Sequence, residues 1–218
     1  MGSGDVYKRQ ARDTVKIKLN QLRQQVKKAP GQPNIALSDF LAPKGQEDYI
    51  GAFAVTTGLG IEAPVKAFEE ALDDYNAILL KALADRFAEA FAERMHQVMR
   101  TEIWGYAAAE SLDNIELIKE KYQGIRPAPG YPACPDHTEK QKLWDLLNVE
   151  KHIGMTLTES FAMYPAASVS GWYFSNPASK YFRVGEMSKD QIESYAKRKD
   201  MNVEEAEKWL ASLLNYDV

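Results

Sequence analysis

The chain has 218 residues, of which 45% are apolar and 27% charged, with a net charge of -4 and a single cysteine. That balance belongs to a globular protein and excludes a disordered tail, while one cysteine excludes an internal disulfide and is compatible with the reducing cytoplasm where the chain is expected. No apolar run approaches the roughly 18 residues of a membrane-spanning helix, no signal-peptide order opens the chain, and the acidic total gives no general reason to expect a nucleic-acid partner.

In chain order, DVYKRQ at Asp5–Gln10 reads like the translation of a sequencing adapter, so residues 1–10 are expected to be a non-native leader and 11–218 the domain proper. Val15, Leu19, Leu22 and Val26 recur at helical spacing and stop before Pro30 and Gly31, predicting a basic helix over Arg12–Lys28. DYIGAFAVTTG is dense in β-formers and predicts a strand. From Pro64 to about Met99 one long helix is expected, with an apolar stripe through Val65, Phe68, Leu72, Tyr75, Leu79, Leu83, Phe87 and Phe91 as the domain's spine. Ser111 or Asp113 caps a short helix to about Tyr122, and Asp136 or Thr138 caps another toward His152, stopped by Gly154. LTESFAMY, SVSGWYFS and SKYFRVG read as strands, and Ser188 and Asn202 open two closing helices. The economical reading is one α+β domain, a twisted antiparallel sheet with helices packed around it.

Between two of the helices lies GIRPAPGYPACPDH, residues 124–137, with four of the chain's ten prolines. Cys134 and His137 have a C-x2-H spacing, yet only two further histidines exist and paired cysteines are absent, so no metal site is expected. Cys134 beside Pro135 has no sequence-visible thiolate stabiliser, and no nucleophile elbow or phosphate-binding glycine loop occurs, so no catalytic side chain is expected. The prolines instead fix a preorganised backbone whose carbonyls are expected to face a ligand, with Gly130 permitting close approach. Arg126 offers a bidentate fork for a carboxylate, and Tyr131 a ring face and a hydroxyl. Asp85 and Glu89, spaced i, i+4, share a helix face, and Glu120 precedes Arg126 by six positions. Such carboxylates and one guanidinium would suit a small zwitterion.

YQGIRPAPGYPACPDHTEK, TESFAMYPAASVSGWYFSNPASKYF, DYIGAFAVTTG and KALADRFAEAFAERMH together resemble the C-terminal activation domain of cobalamin-dependent methionine synthase, over about residues 11–218. The resemblance implies a module that binds S-adenosylmethionine and supports reductive methylation of oxidised cob(II)alamin to methylcobalamin. It implies the cobalamin-binding module of the same enzyme and flavodoxin or a flavoprotein reductase as partners, and a domain that in the family extends further upstream. By the same resemblance Arg126, Ala128, Tyr131, Tyr181, Phe182, Glu89 and Glu120 bind S-adenosylmethionine, and Asp85 faces the cobalamin. An alternative is a docking surface for the reductase and the cobalamin module that does not itself bind the ligand.

Overall fold

A computed structural model describes residues 2–7 and 14–218. Strand β1 (Gly2–Tyr7) pairs antiparallel with β2 (Val15–Gln21), Gly2 opposite Gln21 and Val6 opposite Ile17. The helix expected over Arg12–Lys28 is therefore replaced, in its described part, by a strand and an extended segment. Val15, Ile17 and Leu19 alternate with Lys16 and Lys18, so the sequence also carries a period of two, and two of those three apolar residues are β-branched. With a partner strand available, that alternation wins over the weaker helical spacing.

The remaining elements are β3 (Gly51–Thr56), α1 (Glu62–Glu70), α2 (Asp74–Val98), α3 (Asn114–Ile118), α4 (Glu139–Leu147), α5 (Val149–Ile153), β4 (Thr156–Leu157), β5 (Met163–Tyr164), β6 (Ser168–Tyr173), α6 (Lys189–Lys199) and α7 (Val203–Trp209). The α+β class and the single domain hold. Among the described residues the strands form three two-stranded sheets, β1–β2, β3–β6 and β4–β5. SKYFRVG, expected as a strand, is an irregular segment tied down by Val184 N–H donating to the Pro132 carbonyl at 3.0 Å. No helix among the described residues is long and apolar enough to cross a membrane.

The domain divides into two compact units, residues 1–51, 123–142 and 172–218 in one, and 52–122 and 143–171 in the other. In the first, Leu22, Val184, Met187, Ile192, Tyr195, Ala196, Ala206 and Leu210 form a buried cluster that seats α6 and α7. Both helices start where the cap residues require: Gln191 Oε1 accepts from Ser188 N–H at 3.4 Å, and Asn202 Oδ1 accepts from Glu205 N–H at 2.7 Å.

In the second unit the single long helix expected from Pro64 is two helices. Leu72, at φ 57, turns the chain and Asp73 caps α2 by accepting from Asn76 N–H at 3.1 Å. The apolar stripe of α2 is not its buried face. Ala77, Ala84, Ala88, Ala92 and His96 are buried, while Tyr75, Leu79, Leu83, Phe87 and Phe91 are exposed. Small side chains let the backbone approach neighbouring elements, as where the Thr57 hydroxyl donates to the Ala84 carbonyl at 2.6 Å.

Below His96 the helix widens: Trp104 N–H donates to the Met99 carbonyl five residues back, at 3.0 Å. This turn carries Arg100, whose side chain is fully buried and forks onto Glu110 with two bonds of 2.7 Å. The Arg100 guanidinium carbon lies 4.0 Å from the centre of the Tyr122 ring, and that ring meets His96 edge-on. Tyr106, beside them, has its hydroxyl pKa pushed up to about 12, mainly by burial.

Candidate functional site

The loop at residues 124–137 is held by pairings along its length. Ile125 and Phe174 exchange two backbone hydrogen bonds of 3.0 Å, and Trp172 N–H donates to the Pro127 carbonyl at 2.9 Å. Two tight turns follow, with Tyr131 N–H to the Ala128 carbonyl at 3.2 Å and Cys134 N–H to the Tyr131 carbonyl at 2.9 Å, spanned by Gly130 N–H to the Cys134 carbonyl at 2.7 Å. The prolines thus do fix the loop, but the carbonyls of Pro127, Ala128, Tyr131, Pro132 and Cys134 already accept from the protein. Three of these donors are the loop's own, from Gly130, Tyr131 and Cys134, and two come from outside it, Trp172 in β6 and Val184 before α6.

Gly130 has φ +96, and a Cβ there would fall 2.4 Å from the His137 ring carbon Cε1. His137 therefore backs the loop at its turn, with Nδ1 2.9 Å from Lys140 Nζ. Burial, then the Lys140 charge, lowers the His137 pKa, so the neutral ring accepts a hydrogen bond from the Lys140 amine at Nδ1. Gly130→Ala is expected to destabilise the protein by roughly 1–3 kcal/mol, the range for a strained backbone residue. Thermal melting checks this, and His137→Ala in the same chain should restore only the part due to the clash.

Beneath the loop lies a buried ionic base that sequence reasoning reads only as a helix cap. Asp136 Oδ1 accepts from the Thr138 N–H at 2.8 Å and from its hydroxyl at 2.7 Å, which is the cap. Its other oxygen accepts from the Tyr195 hydroxyl at 2.6 Å and from the Lys199 ammonium. Lys199 also meets Glu139 at 3.0 Å, and Glu139 accepts from Lys142 at 2.6 Å and from the Asn20 N–H at 3.1 Å. Burial alone would raise the Asp136 pKa, but Lys199 and the bonds from Lys199, Tyr195 and Thr138 bring it below the usual carboxylate value. Cys134, in the same buried layer, has its thiol pKa raised, first by burial and then by Glu139 and Asp136, so it stays a thiol and packs. Nothing in the sequence marks Lys199 as the partner, because it lies 63 residues beyond Asp136 on another element.

Of the residues proposed from sequence, the structure joins Arg126 to Tyr181 directly, Arg126 N–H donating to the Tyr181 hydroxyl at 3.1 Å. Arg126 and Ala128 are half-buried, while the rings of Tyr131 and Tyr181 are exposed. Phe182 turns inward, edge-on to Phe40 with ring centres 6.5 Å apart, and packs against the core of the first unit. Asp85, Glu89 and Glu120 belong to the second unit and are exposed, the first two one turn apart on α2 and Glu120 in a left-handed conformation after α3. Among the described residues no group of three or more His, Cys, Asp or Glu is placed to hold a metal ion.

A proline-fixed loop seated over a buried ionic base, within an α+β fold, defines the architecture of the chain. The sequence profile of the vitamin B12-dependent methionine synthase activation domain matches residues 3–200, and the chain belongs to that family. A crystal structure described as the MetH reactivation domain bound to AdoHcy shares its fold at a TM-score of 0.96, with 59% sequence identity. The match covers 99% of this chain and 66% of that one, so the chain spans just under two thirds of the solved domain's length.

Proposed function

We propose that this chain binds S-adenosylmethionine and presents its methyl group for the reactivation of cobalamin in methionine synthase. The observation that carries the reading is the 59% identical relative solved with AdoHcy, which is what S-adenosylmethionine becomes when its sulfonium sulfur gives up the methyl group. In this reading the Arg126 guanidinium pairs with the ligand's carboxylate, Ala128 lets the ligand lie against the loop, and Tyr131, Tyr181 and Phe182 provide aromatic surface. Glu89 and Glu120 offer negative charge to the ligand's cationic groups, and Asp85 serves the cobalamin side.

Cobalamin, carried by a neighbouring module, supplies the nucleophile that takes the methyl group once an electron donor has reduced it. Flavodoxin or a flavoprotein reductase is the proposed donor. What this chain contributes is position. The methyl group is already activated by the sulfonium charge, so holding it in line accounts for the acceleration, and no residue need act as acid, base or covalent nucleophile.

Isothermal titration tests the reading. S-adenosylmethionine should bind the wild-type chain, and Arg126→Ala should weaken it by about 2–3 kcal/mol, the scale for losing a hydrogen bond to a charged partner. Absence of heat from the wild-type chain would favour the alternative, a docking surface for the cobalamin module and reductase that binds no ligand. Unchanged affinity in Arg126→Ala would remove that residue from the site.

A further inference from the structure

Behind the turn of the loop stands an imidazole whose surroundings resist a second positive charge. Gly130 leaves open a space that three atoms of the His137 ring fill: a Cβ there would lie 2.4 Å from Cε1, 2.7 Å from Nδ1 and 3.0 Å from Nε2. Nδ1 is also 2.9 Å from Lys140 Nζ, so one ring meets both the turn and a buried lysine. The acids nearby are already engaged. Asp136, next to His137 in sequence, takes the Thr138 N–H and hydroxyl on Oδ1 and Tyr195 and Lys199 on Oδ2. Glu139, on α4, is occupied by Lys142, Lys199 and the Asn20 N–H, and the Cys134 thiol stays neutral. A charged His137 would therefore face Lys140 as a second cation, with neither carboxylate uncommitted.

We infer that His137 is a positioning residue for the loop: its neutral ring backs the Gly130 turn that presents Tyr131, and protonation of the ring releases that turn. Once Nδ1 carries a proton, two donors point at one another across 2.9 Å and the contact opens. Lys140 is 6% exposed and belongs to α4, whereas His137 is half-buried, so the ring is the member with room to leave. The turn then loses what stands behind Gly130. Tyr131, 61% exposed, takes its position from the backbone of that turn. Burial and Lys140 hold the ring below the ordinary imidazole value of 6.5, which puts the release on the acid side of it. The role in the loop is independent of any ligand, while the consequence for affinity rests on the assignment of Tyr131 to the S-adenosylmethionine site.

Two measurements on the 218-residue chain test this. Without ligand, hydrogen exchange by NMR follows the Gly130 N–H, which donates to the Cys134 carbonyl, while the His137 Cε1 proton reports the ring. The Gly130 protection factor should fall by about tenfold or more at the ring's own midpoint. It should stay level in His137→Asn, whose amide oxygen still accepts from Lys140 but does not titrate. Lys140→Met should raise the ring's midpoint, because the facing cation is gone. A protection factor that ignores the ring's titration, or a midpoint unmoved in Lys140→Met, would overturn the inference. With ligand, calorimetric affinity of the wild-type chain for S-adenosylmethionine should fall by about tenfold per pH unit below that midpoint, and this fall should be missing from His137→Asn. Carboxylates that titrate in the same range are common to both chains, so equal slopes would overturn the link to the ligand. Absence of binding at neutral pH would remove the ligand reading, and the exchange result would still uphold or overturn the role of His137.

Discussion

Lys199→Met is expected to destabilise the protein by about 3–5 kcal/mol, the cost of removing one partner from a buried ion pair. Lys199 bridges two carboxylates that are almost fully buried, Asp136 and Glu139. Without it both charges remain in a low-dielectric layer, where Lys142 compensates only Glu139. For a domain of this size each kcal/mol corresponds to about 2–4 °C in melting temperature, so the loss is well within reach of calorimetry. The acid limb of the stability curve provides a second readout. Asp136 titrates below its unfolded value, so its contribution is present above about pH 4 and is lost as pH falls through the lower folded value. In Lys199→Met that limb should move to higher pH. A melting point unchanged from wild type would mean that the base does not carry the loop.

Arg100→Met should cost a comparable amount, about 3–5 kcal/mol, for the same reason in the other unit. Its guanidinium has no solvent exposure, both bonds to Glu110 are 2.7 Å, and it stacks on Tyr122. Substitution strands the Glu110 carboxylate and removes the cation from the ring face. Replacing both partners, Arg100→Met with Glu110→Met, should recover most of the loss, since an apolar pair of similar volume removes the uncompensated charge. If the double variant were as unstable as the single one, the pair's role would lie in shaping the widened turn and not in charge compensation.

These two ion pairs were also the least legible features of the sequence. The capping role of Asp136 could be read from its place before Thr138 and a helical run, but its second oxygen meets residues 59 and 63 positions away. Such pairings are set by tertiary placement, which no local pattern encodes. The misreading of α2 has a different cause. Periodicity finds a face, and the larger residues suggested which face was inside, yet close approach of the backbone chose the alanines. Local chemistry was more faithful at the ends of elements: Asp113, Ser188 and Asn202 start their helices as their side chains predict. At the loop, the prolines marked a segment that local turns do fix, while the carbonyls of Pro127 and Pro132 are met by donors from Trp172 and Val184 that lie far along the chain.

That dependence on distant donors bears on how the protein comes off the ribosome. The loop is complete by residue 137, but the lysine that neutralises its base arrives about 60 residues later, as does Val184 some 50 residues after Pro132. At roughly 5–20 residues per second, translation leaves the loop without its lysine for about 3–12 seconds. During that interval the nascent chain holds a proline-stiffened segment in which Lys142 can pair with Glu139 but Asp136 lacks Lys199. Completion of the loop's surroundings is therefore an end-of-synthesis event, reached only once residue 199 has been made.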